Sequence, residues 1–421
     1  MNWNVRYRLV SYVSSSLWVV AVGALVAAQI ATPLVRFLAS RIAWTGFHLG
    51  LNGARSLTES IITLTLSFIV FTFGSLLVAI QVASGQYTPR IIATTLLRNN
   101  VIRYTVGLFV FTFVFEIRVL ARTETVVPQL PVFVGVMFGF FCIGAFLYLI
   151  DYAARFLRPI SLLHNIGREG RAVLDSVYPE NLIDTKHPVP SENQSGPVTR
   201  ITLHEGDPGI VKAVNVQQLI RSAEKAGGVV EFGPQVGDFV GSEEPLFLLH
   251  GEAAAIDDRT LRNCVVFGKE RTLEQDPLFA FRIIVDIAIK ALSAAINDPT
   301  TAVLAIDQLH RLLRRAGHRN LRTDYIFDRA GTLRVILRTP GWNDFVHLSF
   351  TEIRAYGAGN IQIARRLRAM IMDLTKTLPD KRRPALQEQL ELLDHVVERA
   401  YAEPKDLELA RIPDAQGLGG S

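Results

Sequence analysis

Two groups of residues in this sequence have types that could do chemistry, and neither assembles a catalytic set by spacing. The first lies in "ALSAAINDPTTAVLAID", Ala291 to Asp307, where Asn297 and Asp298 precede a proline and two threonines, Thr300 and Thr301. A carboxylate and hydroxyls at a helix start serve one of two ends. Either the Asp298 side chain accepts from unsatisfied backbone N–H groups while Pro299 takes a first-turn position that needs no donor, or the positive helix end, with Thr300 and Thr301 adding donors, holds an anion. The same Asp–Pro signature recurs at Asp276 and Pro277. Repetition at two helix starts makes the structural corner the expectation.

The second group lies in strongly apolar sequence. Ser60, Ser67, Gly74 and Gln81 recur every seven residues with Thr63 beside them, Thr105, Thr112 and Glu116 share a helical face, and Gly135 and Gly139 have GxxxG spacing. Stripes of small and polar groups face protein or water rather than lipid. They suit close helix packing, and they also suit the lining of a path for a small solute or ion. Glu116 lies within a turn of Arg118 near the end of its apolar run, so a solvated carboxylate pairing with Arg118 or Arg122 is expected. An ionisable group points to function more strongly when it lies deeper in the bilayer.

The elements that must carry these residues follow from hydrophobicity. Of 421 residues, 49% are hydrophobic and only 20% charged, above the apolar share of an average soluble protein. The first 160 residues hold twelve arginines, no lysine and four acids, a net of +8, whereas the rest hold 32 bases and 35 acids, a net of −3. The sequence pI of 9.2 is thus a property of membrane flanks. A nucleic-acid binder would concentrate positive charge on its soluble part, so that class is set aside. Four runs reach the roughly 20 residues needed to cross a hydrocarbon core: Leu17 to Val35, Ser60 to Val82, Val101 to Leu120 and Gln129 to Ala153. The first lacks a convincing signal-peptidase site and is kept as a span.

Orientation follows from arginines beside the spans. Nine (Arg6, Arg8, Arg90, Arg98, Arg103, Arg155, Arg158, Arg168, Arg171) lie on one side and five (Arg36, Arg41, Arg55, Arg118, Arg122) on the other. Both termini are therefore expected in the cytoplasm, in a multi-pass protein of the inner, or plasma, membrane. Cys142 and Cys264 have neither disulfide nor metal-ligand spacing, and no cofactor or metal is expected. Between the second and third spans, Ile91, Ile92, Leu96 and Leu97 with Arg90 and Arg98 suggest a short helix on the inner membrane surface.

Past the spans, a helical extension and polar linker (161–198) lead into a β-rich segment (199–270), a mainly helical segment with one hairpin (271–402) and a flexible tail (403–421). The phrase "VGDFVGSEEPLF" is similar to the turn-and-strand phrase of barrel-sandwich domains such as lipoyl carriers, without their lysine at a hairpin tip. The expected fold is a membrane α-helical front of four transmembrane helices followed by a cytoplasmic α+β domain with a small barrel-sandwich-like β region. Asn215 is an expected helix cap. Two helices, before and after Asn297, are expected to meet through a turn of about three residues, with Phe281, Val285, Ala288, Leu292 and Ala295 on one face. His310 is expected to be solvated or capping.

"SGQYTPRII", "RTLEQDPLFAFRIIVDIAIKALSAAINDPTTA" and the four-span front resemble the bacterial predicted-membrane-protein family catalogued as domain of unknown function 2254, over roughly residues 1–405. The resemblance implies an integral membrane location with four spans and brings no activity or cofactor. Where this chain has Ser293, Ala294 and Ala295, the family pattern reads serine-proline-glycine, which argues against a strict chemical requirement there. Three function classes follow. An oligomeric channel or transporter for a small solute or ion, with a regulatory cytoplasmic domain, leads; a membrane-anchored sensor or scaffold binding a ligand or protein partner is the alternative. An enzyme comes third, because no nucleophile, base and orienting group can be assembled from spacing. Membrane lipid and further copies of the chain are the expected partners.

Overall fold

The computed structural model describes residues 3–41, 48–86, 99–123, 127–156, 158–182, 196–321 and 324–418. The expected surface helix around Ile91 and most of the polar linker lie outside the described residues. The chain forms two compact units, Val10–Ser161 and the combination of Met1–Leu9 with Leu162–Ser421.

Helix α1 (Trp3–Ser15) comes first in the chain, and the first unit then holds four helices long and apolar enough to cross a membrane: α2 (Leu17–Arg41), α3 (Leu51–Gln86), α4 (Asn100–Leu120) and α5 (Gln129–Phe156). A helix satisfies its own backbone hydrogen bonds, which hydrocarbon requires. All four expected spans are present. The second starts earlier, at Leu51, because its first turns are solvated, with Arg55 and Glu59 exposed and paired. The third, α4, is packed against α2, α3 and α5, and its inner positions include Val106, Phe109, Thr112, Phe115, Glu116 and Val119. It is also the least apolar of the four. Both facts have one cause: polar side chains are tolerated on a helix that other helices shield from lipid.

The second unit is α+β. Helix α6 (Pro159–Val177) follows α5 after a proline start and buries Leu162, Leu163, Ile166 and Leu174. Strands β1 (Val198–Leu203), β2 (Gly209–Val214), β3 (Val229–Phe232), β4 (Phe239–Val240), β5 (Pro245–His250), β6 (Val265–Gly268), β7 (Tyr325–Phe327) and β8 (Leu333–Leu337) form two sheets, ordered β1-β5-β3-β8-β7 and β4-β2-β6. The expected barrel-sandwich-like region is not met: neither sheet closes into a barrel among the described residues. The phrase that suggested it runs from β4 into β5, which belong to different sheets. The β7–β8 hairpin, turning at Asp328 to Thr332, sets β8 parallel to β3 and so completes the larger sheet from far along the chain. A single core joins both sheets through Val211, Leu219, Val230, Phe232, Phe247, Leu249 and Val265. Leu219 belongs to α7 (Val216–Ala226), which Asn215 caps as expected by accepting from Gln218 N–H.

After the short α8 (Asp258–Arg262), the remaining helices are α9 (Pro277–Ala291), α10 (Pro299–Gly317), α11 (Trp342–Gly357), α12 (Ile361–Thr377), α13 (Arg383–Ala400) and α14 (Pro404–Ala410). Helix α9 is buried nearly all round, packing on α10 and α11. Its close approach to α6 needs Gly170, where a Cβ would lie 2.7 Å from the Ala280 methyl carbon. The segment beyond residue 402, expected to be a flexible tail, packs against α12 as far as it is described. It carries α14, Arg365 donates to Ile412 O (3.1 Å), Gln362 donates to Gly417 O (2.6 Å), and Asp414 is buried. Composition missed these contacts because they depend on the face that α12 presents.

Candidate functional site

The structure brings four of the expected residues together inside the membrane unit. Thr112 and Glu116 lie one turn apart on α4, and Gly135 and Gly139 lie one turn apart on α5, all four buried. Gly135 is what admits the carboxylate: a Cβ built there would sit 1.8 Å from Glu116 Oε1 and 2.6 Å from its Cδ. Gly139 lies against Ile61 of α3 less tightly, the nearest side-chain carbon being 3.3 Å from a built Cβ. The Cys142 thiol donates to the Thr112 hydroxyl across the α4–α5 contact at 3.3 Å.

The expected pairing of Glu116 with Arg118 or Arg122 does not occur. Arg118 turns outward and donates to Gln29 of α2, Arg122 is exposed, and Glu116 is 0% exposed with no hydrogen-bond partner for either carboxylate oxygen among the described residues. Sequence distance misled here because residues two apart on a helix point to different sides. Above the carboxylate, Gln129 and the backbone of Leu49 exchange two hydrogen bonds, 3.1 and 3.0 Å, and fasten the start of α5 to the entry of α3. Leu49 and Val127 pack on the surrounding core of Ala28, Ala54, Phe115, Val119 and Val132.

The seven-residue stripe on α3 lies elsewhere. Ser60, Thr63, Ser67, Gly74 and Gln81 are all exposed in the single chain, and the Ser60, Thr63 and Ser67 hydroxyls donate to carbonyls one turn back on their own helix. The face buried against neighbouring helices is a second stripe at the same spacing, Thr58, Thr65 and Thr72. Sequence reasoning missed it although the signal was available, since a helix with two polar heptads has two candidate inner faces.

In the α+β unit the turn is resolved in detail. Helix α9 ends at Ala291, so Leu292 to Asp298 connect the helices, longer than the expected turn, and Ala295 is exposed rather than on the core face. Asn297 adopts the left-handed region at φ 47°, which asparagine tolerates. Asp298 caps α10 by accepting from Thr301 N–H at 3.0 Å and from its hydroxyl. Thr301 is buried, and Asn297 and Thr300 are exposed.

His310 is neither solvated nor capping: it pairs with Asp373 at 2.7 Å beside Arg366, and burial holds its pKa below the ordinary histidine value despite that carboxylate. Burial likewise pushes the Cys264 thiol up to about 12, unsuited to nucleophilic work. Among the described residues no three His, Cys, Asp or Glu side chains converge as a metal site. A cavity of about 1350 Å³ opens between the end of α6, the β7–β8 hairpin and the start of α11, with Pro179, Gln217, Tyr325, Arg338, Trp342 and Asn343 on its walls. Several wall groups already have structural duties, Asp324 accepting from Thr339 and Arg382 lying over the Trp342 ring at 5.2 Å.

Four apolar helices around a buried carboxylate, followed by an α+β unit, define a multi-span membrane protein. The chain belongs to the predicted membrane protein family DUF2254, whose model matches residues 14–373. Similar proteins include the uncharacterized protein Rv1290c of Mycobacterium tuberculosis and the uncharacterized protein Mb1321c of Mycobacterium bovis, each 26% identical over 349 residues. The alignment takes in 79% of this chain and 66% of either relative, so the chain spans just under two thirds of their length. No solved structure matches.

Proposed function

We propose that the protein is an oligomeric channel or transporter of the inner membrane that passes a small ion or solute, with its α+β unit in the cytoplasm as the regulatory part. The observation that carries the reading is the exposed stripe of α3. Ser60, Thr63, Ser67, Gly74 and Gln81 lie on a spanning helix whose other polar heptad is already packed inside the chain. A small and polar face left outward in one copy is suited to meeting further copies, and symmetry would repeat it around an axis.

The orientation has two supports. Four spans return the chain to its starting side, in keeping with residues 1–9 joining residues 162–421 in one unit, where Asn4 donates to Val265 O at 3.1 Å and Tyr7 to Glu274 at 2.9 Å. The nine-to-five arginine asymmetry supports the cytoplasm as that side. Disulfide cross-linking of a Ser67→Cys variant in native membranes tests the assembly. Covalent dimers at this position are expected, and a chain that stays monomeric both there and by mass in detergent contradicts the reading.

The cavity beside Tyr325 and Trp342 favours a second reading, a sensor or scaffold whose cytoplasmic unit binds a ligand or protein partner. An oligomer that passes no solute, yet is stabilised by a small molecule held at this cavity, would favour it.

A further inference from the structure

We propose that Glu116 is a reversible proton-binding site inside the membrane unit, occupied by a proton in the arrangement described here. Its carboxyl group is fully buried between α4 and α5, and neither oxygen has a hydrogen-bond partner among the described residues. A carboxylate anion in that position would lack both water and a compensating donor, the costliest state a side chain can take inside a bilayer. The neutral acid removes the charge and leaves only a dipole to accommodate.

Among the described residues, no neighbouring charge offers an alternative. On α4 itself, Arg118 is engaged with Gln29, Arg122 is exposed, and Arg103 lies in the first turn, donating to Val13 O. Helix α2 contributes Arg36 and Arg41, both exposed, and α3 contributes Arg55 and Glu59, exposed and paired with each other. From α5 the titratable group nearest in the packing is Cys142, whose thiol is donated to Thr112, while Asp151 and Arg155 pair far along that helix. A metal cation fits poorly as the neutralising partner. Hard cations gather several oxygens, whereas here one carboxylate lies so close to Gly135 that even a methyl group could not be inserted between them.

The proton arrives from water and returns to it, with the carboxylate and carboxylic acid as the two states. Only the neutral state suits the closed α4–α5 contact, so loss of the proton is expected to loosen it. The inference stands whether or not the outer stripe of α3 lines a path.

Infrared spectroscopy of the full-length protein in liposomes is the test. The carbonyl stretching band of a protonated carboxylic acid without hydrogen bonds should persist at neutral pH, after exposed carboxyl groups have ionised, and should vanish in Glu116→Gln. Without any variant, dicyclohexylcarbodiimide, an apolar reagent for protonated carboxyl groups, should modify Glu116 more slowly as pH rises and abolish the same band. Absence of the band in the folded wild-type protein at neutral pH overturns the proposal. So does a band that survives either the variant or modification of Glu116.

Discussion

Replacing Gly135 by alanine probes the α4–α5 contact directly. In an ordinary helix interior the change is favourable by roughly 0.5–1 kcal/mol, because alanine has the lower conformational cost. At this position the new Cβ falls 1.8 Å from Glu116 Oε1 and 2.6 Å from Cδ, so the carboxyl group or α5 must move. Overpacking of this kind costs about 1–3 kcal/mol. A double-mutant cycle with Glu116→Ala separates the two contributions. In the Glu116→Ala background, Gly135→Ala should be neutral or mildly stabilising, giving a coupling of about 1–3 kcal/mol, within the range for residues in contact. For a unit of about 150 residues this corresponds to roughly 2–12 °C in unfolding temperature, readable by thermal unfolding in detergent. Gly144→Ala on the same helix is the control: nothing lies within 4 Å of its built Cβ, so it should not destabilise. Equal effects of Gly135→Ala with and without Glu116 would refute the placement of the carboxyl group.

Three other outcomes are expected. Asp298→Ala removes the cap that serves Thr301 and should lower the stability of the α+β unit by about 0.5–2 kcal/mol while activity per folded molecule survives; loss of a measured function at normal stability would instead move a ligand site to this turn. Asp175, at the end of α6, is held below the usual carboxylate range by its hydrogen bond to Arg315, with a second from Arg319. A depressed folded value means that its contribution is complete above the unfolded value of about 3.9 and is lost as pH falls through the folded value, so Asp175→Asn should flatten that acid limb in unfolding curves. Deleting residues 403–421 removes the acceptor for Arg365 and the packing of Gly417 on Val303, and should lower the unfolding temperature of the α+β unit; an unchanged transition would show that these contacts contribute nothing.

Local signals were legible in the sequence and tertiary ones were not. Asp276, Asp298 and Asn215 announce helix starts because a cap needs only the residues beside it. The four spans announce themselves because hydrocarbon demands length and apolarity together. Which face of α3 turns inward depends on partners elsewhere in the chain, and two polar stripes with one spacing left that choice undetermined. The parallel pairing of β3 with β8, separated by much of the α+β unit, has no local cue either. Glu116 shows the limit most clearly: its type and Gly135 were both visible, but the contact between them exists only once α4 and α5 pack together.

The most direct test of the central claim is flux across liposomes that hold the full-length protein, with small monovalent ions and small neutral solutes tried in turn. The account predicts leakage of at least one of them in proportion to the protein incorporated, with a rate or selectivity altered by Gln81→Leu on the exposed stripe of α3. A folded, oligomeric protein whose liposomes remain as tight as protein-free ones would contradict it.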